Sequence, residues 1–316
     1  MSRIHEALKK AEQERTANQT AQKNEASADR GISGRRVETA ASPSSSLPEP
    51  VFPHLQNDRV AAEPPAEALS FEVLWEKSKR ASWKPDTNIV VFENSNTFFP
   101  GAEQFRTLRS RLLRMREAQP LQTILISSAI PAEGKTMVST NLAYALVRQR
   151  GSRVLLVDAD LRSPRVHTML GAPSAPGLAD YLQKSATPEF EVMQRGREEG
   201  LCFIPAGNHV LHPSELISSD RMKQFLERVK PAFDWIIIDS PPALPVADAS
   251  VLGGLVDGVL FVVRANSTPS GASLKACKEL RDAHILGVVL NNAEELAGYN
   301  SYYSGSYGTI PVVAKK

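Results

Sequence analysis

The feature that most constrains this chain is a series of short, near-continuous apolar runs that alternate with helical patterns, all beyond about residue 120. The runs are Gln122–Ser127, Arg153–Asp158, Leu201–Pro205, Trp235–Asp239, Gly258–Arg264 and Gly287–Asn291. A strand with one wet face alternates apolar and polar residues; these do not, so they read as strands covered on both faces. Between them, Thr136–Arg150, Ser214–Val229, Ala247–Leu255 and Ser270–Ala283 carry helical spacing. Strand and helix in alternation predict an α/β domain: a doubly wound, mostly parallel sheet with helices on both faces. Sheets of this kind bind ligands outside the carboxyl ends of their strands, so the strand ends are where chemistry is expected.

The rest of the chain is built differently. The apolar share of 42% supports one sizeable core, but it is concentrated late in the sequence. From Thr16 to Lys84 the chain is rich in Ala, Ser, Pro, Glu and Gln, with runs such as Ala41-Ser42-Pro43-Ser44-Ser45-Ser46. Such a segment cannot bury enough apolar area to offset its ordering entropy and reads as a disordered linker, with a root-mean-square span of about 45 Å. Phe71-Glu72-Val73-Leu74-Trp75 stands out in it as a small docking cluster. Ahead of the linker, Ser2–Arg15 places Ile4, Leu8 and Ala11 at helical spacing behind Ser2 as an N-cap. So short a helix is marginal alone, and a frayed end and a docking element are equally good readings. The expected organisation is therefore 1–15 helix, 16–84 linker, 85–297 nucleotide-binding domain and 298–316 tail.

Composition also excludes some partners. Lys and Arg number 37 against 35 Asp and Glu, a net charge of +2 that offers no nucleic acid a polycationic surface. Cys202 and Cys277 lack metal-ligand spacing and read as small buried residues in a reducing compartment. No apolar stretch approaches the ~20 residues needed to span a bilayer, and the first residues lack a signal-peptide core. The expectation is a soluble, cytoplasmic protein.

Three strand ends carry chemistry. After Gln122–Ser127 come Ala129-Ile130-Pro131-Ala132-Glu133-Gly134-Lys135-Thr136 and then a helix opening with Met137. A tight loop on a helix N-terminus turns its N–H groups toward phosphate, a lysine reaches the outer phosphates and a hydroxyl meets a magnesium ion. Ala132, Glu133, Gly134, Lys135, Thr136 and Met137 are the candidate nucleotide residues, although Ala129 replaces the glycine that opens the strict pattern. The second motif, Val157-Asp158-Ala159-Asp160-Leu161-Arg162, ends a strand with two carboxylates and a guanidinium. One carboxylate can take a proton from an attacking hydroxyl while another supports the metal; a strand-end Asp alone is more often a turn or cap residue. The third, Ile236-Ile237-Ile238-Asp239-Ser240-Pro241-Pro242, places Asp239 as a metal-holding carboxylate on a rigid turn. Asn291, ending the last apolar run, reads equally as an adenine-edge contact or a turn residue.

Together these motifs resemble the bacterial tyrosine kinases of capsule and exopolysaccharide operons, over roughly residues 95 to 308. Two further elements carry the resemblance: Glu103-x-x-Arg106-x-x-Arg109, and a tail holding Tyr299, Tyr302, Tyr303 and Tyr307 among small residues. The resemblance implies an ATP- and Mg2+-dependent autokinase. In it Lys135, Asp158, Asp160 and Arg162 are catalytic, with Asp158 activating the hydroxyl, Arg162 orienting the carboxylates, and Thr136, Asp160 and Asp239 at the metal. The tail tyrosines would accept phosphate from a neighbouring subunit, Glu103, Arg106 and Arg109 would close a ring, and a phosphatase would reverse the reaction. On an isolated helix the same three charges are a modest intrahelical set. The resemblance further implies a separate membrane activator, with the protein peripheral to the inner membrane through it. The sequence departs from the family at Ala132, where a glycine is usual. The rivals are a ParA/MinD-like positioning ATPase, which carries a second lysine where Ile130 stands, and a non-catalytic ATP-binding assembly regulator.

Overall fold

The computed structural model describes residues 69–93, 100–184 and 187–293. The expected helix at 1–15, most of the expected linker and the tyrosine tail at 298–316 lie outside the described residues.

The described chain begins with helix α1 (Phe71–Lys77), strand β1 (Lys79–Arg80) and helix α2 (Pro100–Ala118). It continues through β2 (Thr123–Ser128), α3 (Lys135–Val147), β3 (Val154–Asp158), α4 (Val166–Leu170), α5 (Leu178–Gln183), α6 (Glu189–Val192), β4 (Gln194–Arg195) and β5 (Leu201–Ile204). The last part holds α7 (Pro213–Ile217), α8 (Asp220–Val229), β6 (Trp235–Asp239), α9 (Asp248–Gly253), β7 (Gly258–Arg264), α10 (Ser270–Glu279) and β8 (Ile285–Asn291). The strands form one eight-stranded sheet in the order β1-β4-β5-β3-β6-β2-β7-β8. Every described pairing is parallel except β4 with β5.

The apolar runs form the inner strands because both sheet faces are covered. Side chains alternate across a strand, and the core divides accordingly. Leu125, Leu155, Val157, Ile236 and Ile238 pack toward α5, α8, α9 and α10, whereas Ile124, Ile126, Leu156, Trp235 and Ile237 pack toward α2 and α3. All residues of β2, β3 and β6 are buried. The doubly wound, mostly parallel arrangement expected from the runs is the one observed. Ser214–Val229, expected as one helix, is two: α7 stops before Ser218-Ser219, and Ser219 in extended conformation precedes the restart at Asp220.

The linker ends earlier than Lys84. Ser70 caps α1 by accepting the Val73 N–H at 3.3 Å, and Leu74 is fully buried. Phe71 stacks on Trp75 at 5.5 Å and meets the edge of Phe233 at 5.6 Å. β1 pairs with β4, and Trp83 packs edge-on against Phe203 at 6.1 Å, close enough to Gly196 that a Cβ there would lie 2.4 Å from the indole. The polar composition around the Phe71 cluster hid an element that needs the completed domain to pack on. Trp83→Ala is expected to destabilise the domain by about 3–5 kcal/mol in urea unfolding; an unchanged midpoint would show that this segment is dispensable.

Candidate active site

The loop between β2 and α3 is held from three sides. Gly134 takes the left-handed conformation (φ 94°) at the N-cap of α3, and a Cβ on it would lie 2.0 Å from Asn291 Nδ2. Only glycine fits there. Ala132 is also left-handed (φ 65°), so the alanine that departs from the family pattern keeps a glycine-like path at a cost of about 1–2 kcal/mol. The buried Glu133 carboxylate folds back inside the loop, accepting the Ile130 N–H at 2.7 Å and the Thr268 hydroxyl. Arg264 donates to the Ala132 carbonyl at 3.3 Å. Asn291 donates Nδ2 to the Glu133 carbonyl at 2.9 Å. Asn291, read from the sequence equally as an adenine-edge contact or a turn residue, thus holds the loop backbone and stands at the wall of a second cavity that Met137 also lines.

In front of the loop lies a cavity of about 510 Å³ lined by Ala132, Gly134, Lys135, Thr136, Met137, Asp160, Arg162, Arg165 and the turn Pro241-Pro242. It lies beyond the carboxyl ends of the parallel strands, as the topology requires. Behind it, β3 and β6 run in register so that Asp158 pairs with Asp239. Thr136 Oγ1 donates to Asp239 Oδ2 at 2.8 Å, whereas Asp239 Oδ1 is buried with no partner. An orphaned carboxylate oxygen beside a hydroxyl suits a hard divalent cation. No group of three or more His, Cys, Asp or Glu among the described residues could hold a metal unaided.

Two sequence expectations need correction. Asp158 lies behind the cavity wall, fully buried like Asp239, but its oxygens are taken: Oδ1 accepts the Asp160 N–H at 3.2 Å and Oδ2 those of Arg165 at 3.2 Å and Val166 at 3.1 Å. It organises the turn into α4, and Asp160 is the carboxylate at the cavity wall. Arg162 does not orient the Asp158, Asp160 and Asp239 cluster. Its Nε donates to Asp248 Oδ2 at 2.9 Å and its Nη2 to Ser214 Oγ at 2.7 Å. Ser214, Asp248, Arg264 and Thr268 were invisible in the sequence because each acts across a long loop closure. Of the proposed ring residues, Glu103 and Arg106 form a half-exposed pair on α2, while Arg109 donates to the Ala145 carbonyl of α3 at 2.7 Å.

A glycine-capped loop on a helix N-terminus, a lysine and threonine at its head and a strand-end aspartate beside them define a P-loop nucleotide-binding protein. A model of the AAA domain family matches residues 122–268. The tyrosine-protein kinase YwqD of Bacillus subtilis (strain 168) is 35% identical over 210 residues, 66% of this chain and 86% of that protein. The succinoglycan biosynthesis transport protein ExoP of Rhizobium meliloti (strain 1021) is 35% identical over 225 residues, 68% of this chain but 28% of its own length. The solved kinase domain of the Escherichia coli tyrosine kinase ETK aligns with a TM-score of 0.56 at 32% identity, covering 63% of this chain and 79% of that domain. The chain belongs to the bacterial tyrosine kinases and is a protein-tyrosine kinase.

The buried carboxylates have a pH signature. Burial pushes the Asp239 carboxyl up to about 7; the Lys135 charge and the Thr136 hydroxyl pull it down, and the Asp160 charge adds to the rise. Asp158 is also held well above the usual carboxylate range, first by burial and then by the Asp239 charge. A carboxyl that holds its proton longer when folded favours the fold below its unfolded pKa, and that contribution is lost as pH rises through the folded value. In EDTA without nucleotide, Asp239→Asn is therefore expected to raise the melting temperature more at pH 8 than at pH 5. A gain independent of pH, or a loss at both, would contradict the buried-charge reading.

Proposed function

We propose that this kinase transfers the γ-phosphate of ATP to tyrosines of its own C-terminal segment, Tyr299, Tyr302, Tyr303 and Tyr307. The observation that carries the reading is the convergence of Lys135, Thr136, Asp160 and Arg162 on one cavity in a chain of the tyrosine-kinase family. The loop N–H groups from Glu133 to Thr136 cradle the phosphates, Lys135 neutralises the outer ones, and Met137 and Asn291 flank the base. Thr136 and Asp239, with Asp160 through water, would hold Mg2+, which draws charge from the transferring phosphate when bound. The tyrosine oxygen attacks the γ-phosphorus in line, the bond to the ADP oxygen breaks, and the phenolic proton passes to Asp160. Asp158 holds the turn that presents Asp160. Catalysis rests mainly on positioning and charge neutralisation.

Each phosphate added to the tail brings about −1.5 to −2 charge near neutral pH, and repulsion then withdraws the tail from its neighbour. By the same reading the protein assembles as a ring through Glu103, Arg106 and Arg109, and it works with a separate membrane activator and a counteracting phosphatase. It serves exopolysaccharide or capsule polymerisation and export, in the cytoplasm and peripheral to the inner membrane. No helix among the described residues is long and apolar enough to cross a membrane. Phosphosite mapping after incubation with Mg2+ and ATP is expected to find phosphate on the tail tyrosines and none in Lys135→Met. ATP hydrolysis without tyrosine modification would favour the positioning-ATPase alternative instead.

A further inference from the structure

Arg162 sits where the tyrosine-transfer reading needs a cation, yet its nearest engagements are with residues outside the motifs. It comes from the turn after β3, Ser214 from the first turn of α7 and Asp248 from the first residue of α9. These three distant segments meet in a closed triangle. Asp248, buried to 2% exposure, accepts Arg162 Nε on Oδ2 at 2.9 Å and the Ser214 hydroxyl on Oδ1. Ser214 Oγ in turn accepts Arg162 Nη2 at 2.7 Å. The hydroxyl is thus fixed in direction, with its proton toward Asp248 and a lone pair toward the guanidinium. No partner among the described residues takes Nη1, and Arg162 remains a wall of the phosphate cavity with its side chain 38% exposed.

We propose that Asp248 and Ser214 are positioning residues that hold Arg162 by Nε and Nη2 so that its Nη1 edge meets the phosphoryl group in transit. Two physical arguments favour this over a purely structural ion pair. A guanidinium offers donors in a rigid fork, so fixing one edge fixes the direction of the other. Arg162 also lies two residues from Asp160, the carboxylate at the cavity wall. An arginine released from Asp248 has that carboxylate as an alternative partner, and pairing there would remove both the cation and the proton acceptor from the reaction. A buried, desolvated carboxylate with a second hydrogen bond to a fixed hydroxyl is the stronger competitor. The clamp therefore keeps the two charges apart while leaving both at the cavity.

The inference rests on the phosphoryl-transfer reading, and its test separates the two. ATP turnover and tyrosine phosphorylation are measured together on the full chain for wild type, Asp248→Asn, Ser214→Ala, Arg162→Ala and the two double variants with Arg162→Ala. Asp248→Asn is expected to lower kcat about ten- to a hundredfold with little change in the KM for ATP, and Ser214→Ala to lower it less. Neither is expected to lower kcat further once Arg162 is alanine. An equal loss in both backgrounds, or a lowered melting temperature with unchanged kcat, would overturn the clamp. Ser214→Ala, which leaves the Asp248 to Arg162 pair in place, carries the same test should Asp248→Asn fail to fold. If wild type turns over ATP without modifying tyrosine, the kinase reading fails while the same cycle, read on hydrolysis, still decides the clamp.

Discussion

The hydroxyl of Thr136 held on the carboxylate of Asp239 at 2.8 Å joins the first turn of the loop helix to the end of a neighbouring strand, and the site depends on that junction. β6 lies between β2 and β3, so the loop that follows β2 opens directly over the residues that end β6 and β3. Parallel register then sets Asp158 beside Asp239. Two adjacent buried carboxylates are costly unless hydrogen bonds or counter-charge compensate them. The chain compensates Asp158 with backbone N–H groups and leaves one oxygen of Asp239 bare. That asymmetry separates the two: Asp158 is satisfied by the turn it organises, and Asp239 keeps an oxygen without a hydrogen bond.

The same economy of contacts shapes the phosphate loop. Its backbone is tied by Glu133 from within, whose carboxylate Thr268 holds, and by Arg264 and Asn291 from the ends of β7 and β8. A loop so held has its N–H groups oriented before a ligand arrives, which is how electrostatic preorganisation avoids a reorganisation cost during reaction. Asn291 is the last residue of β8, so its hydrogen bond ties the end of that strand to the loop.

What the sequence made legible follows from which signals are local. The inner strands were readable because burial on both faces writes an uninterrupted apolar run; Trp235–Asp239 and Gly258–Arg264 have the expected bounds. Lys135, Thr136, Asp160 and Asp239 were readable because strand-end position and loop spacing are encoded within a few residues. The turn at Ser218-Ser219 was missed because both halves of Ser214–Val229 keep helical spacing. α4, α5 and α6 have 4 to 6 residues each, too few for a period to show. Phe71–Trp75 stood out as a docking cluster, but what it and Trp83 dock on was not readable, because Phe233 and Phe203 lie more than a hundred residues away. The roles of Asp158 and Arg162 were assigned from motif position, and tertiary contacts altered both. Asp158 is enclosed by the turn it organises, and Arg162 is claimed by Asp248, 86 residues on.

The proposed metal site, the unpartnered oxygen of Asp239 with the Thr136 hydroxyl, would take its ion together with the nucleotide. This is tested most directly by calorimetric titration of ADP into wild type and Asp239→Asn, each with Mg2+ and with EDTA. The account predicts that Mg2+ tightens ADP binding to wild type at least tenfold, about 1.4 kcal/mol, and that Asp239→Asn abolishes this gain while keeping the metal-free affinity. A magnesium dependence that survives intact in Asp239→Asn would contradict it.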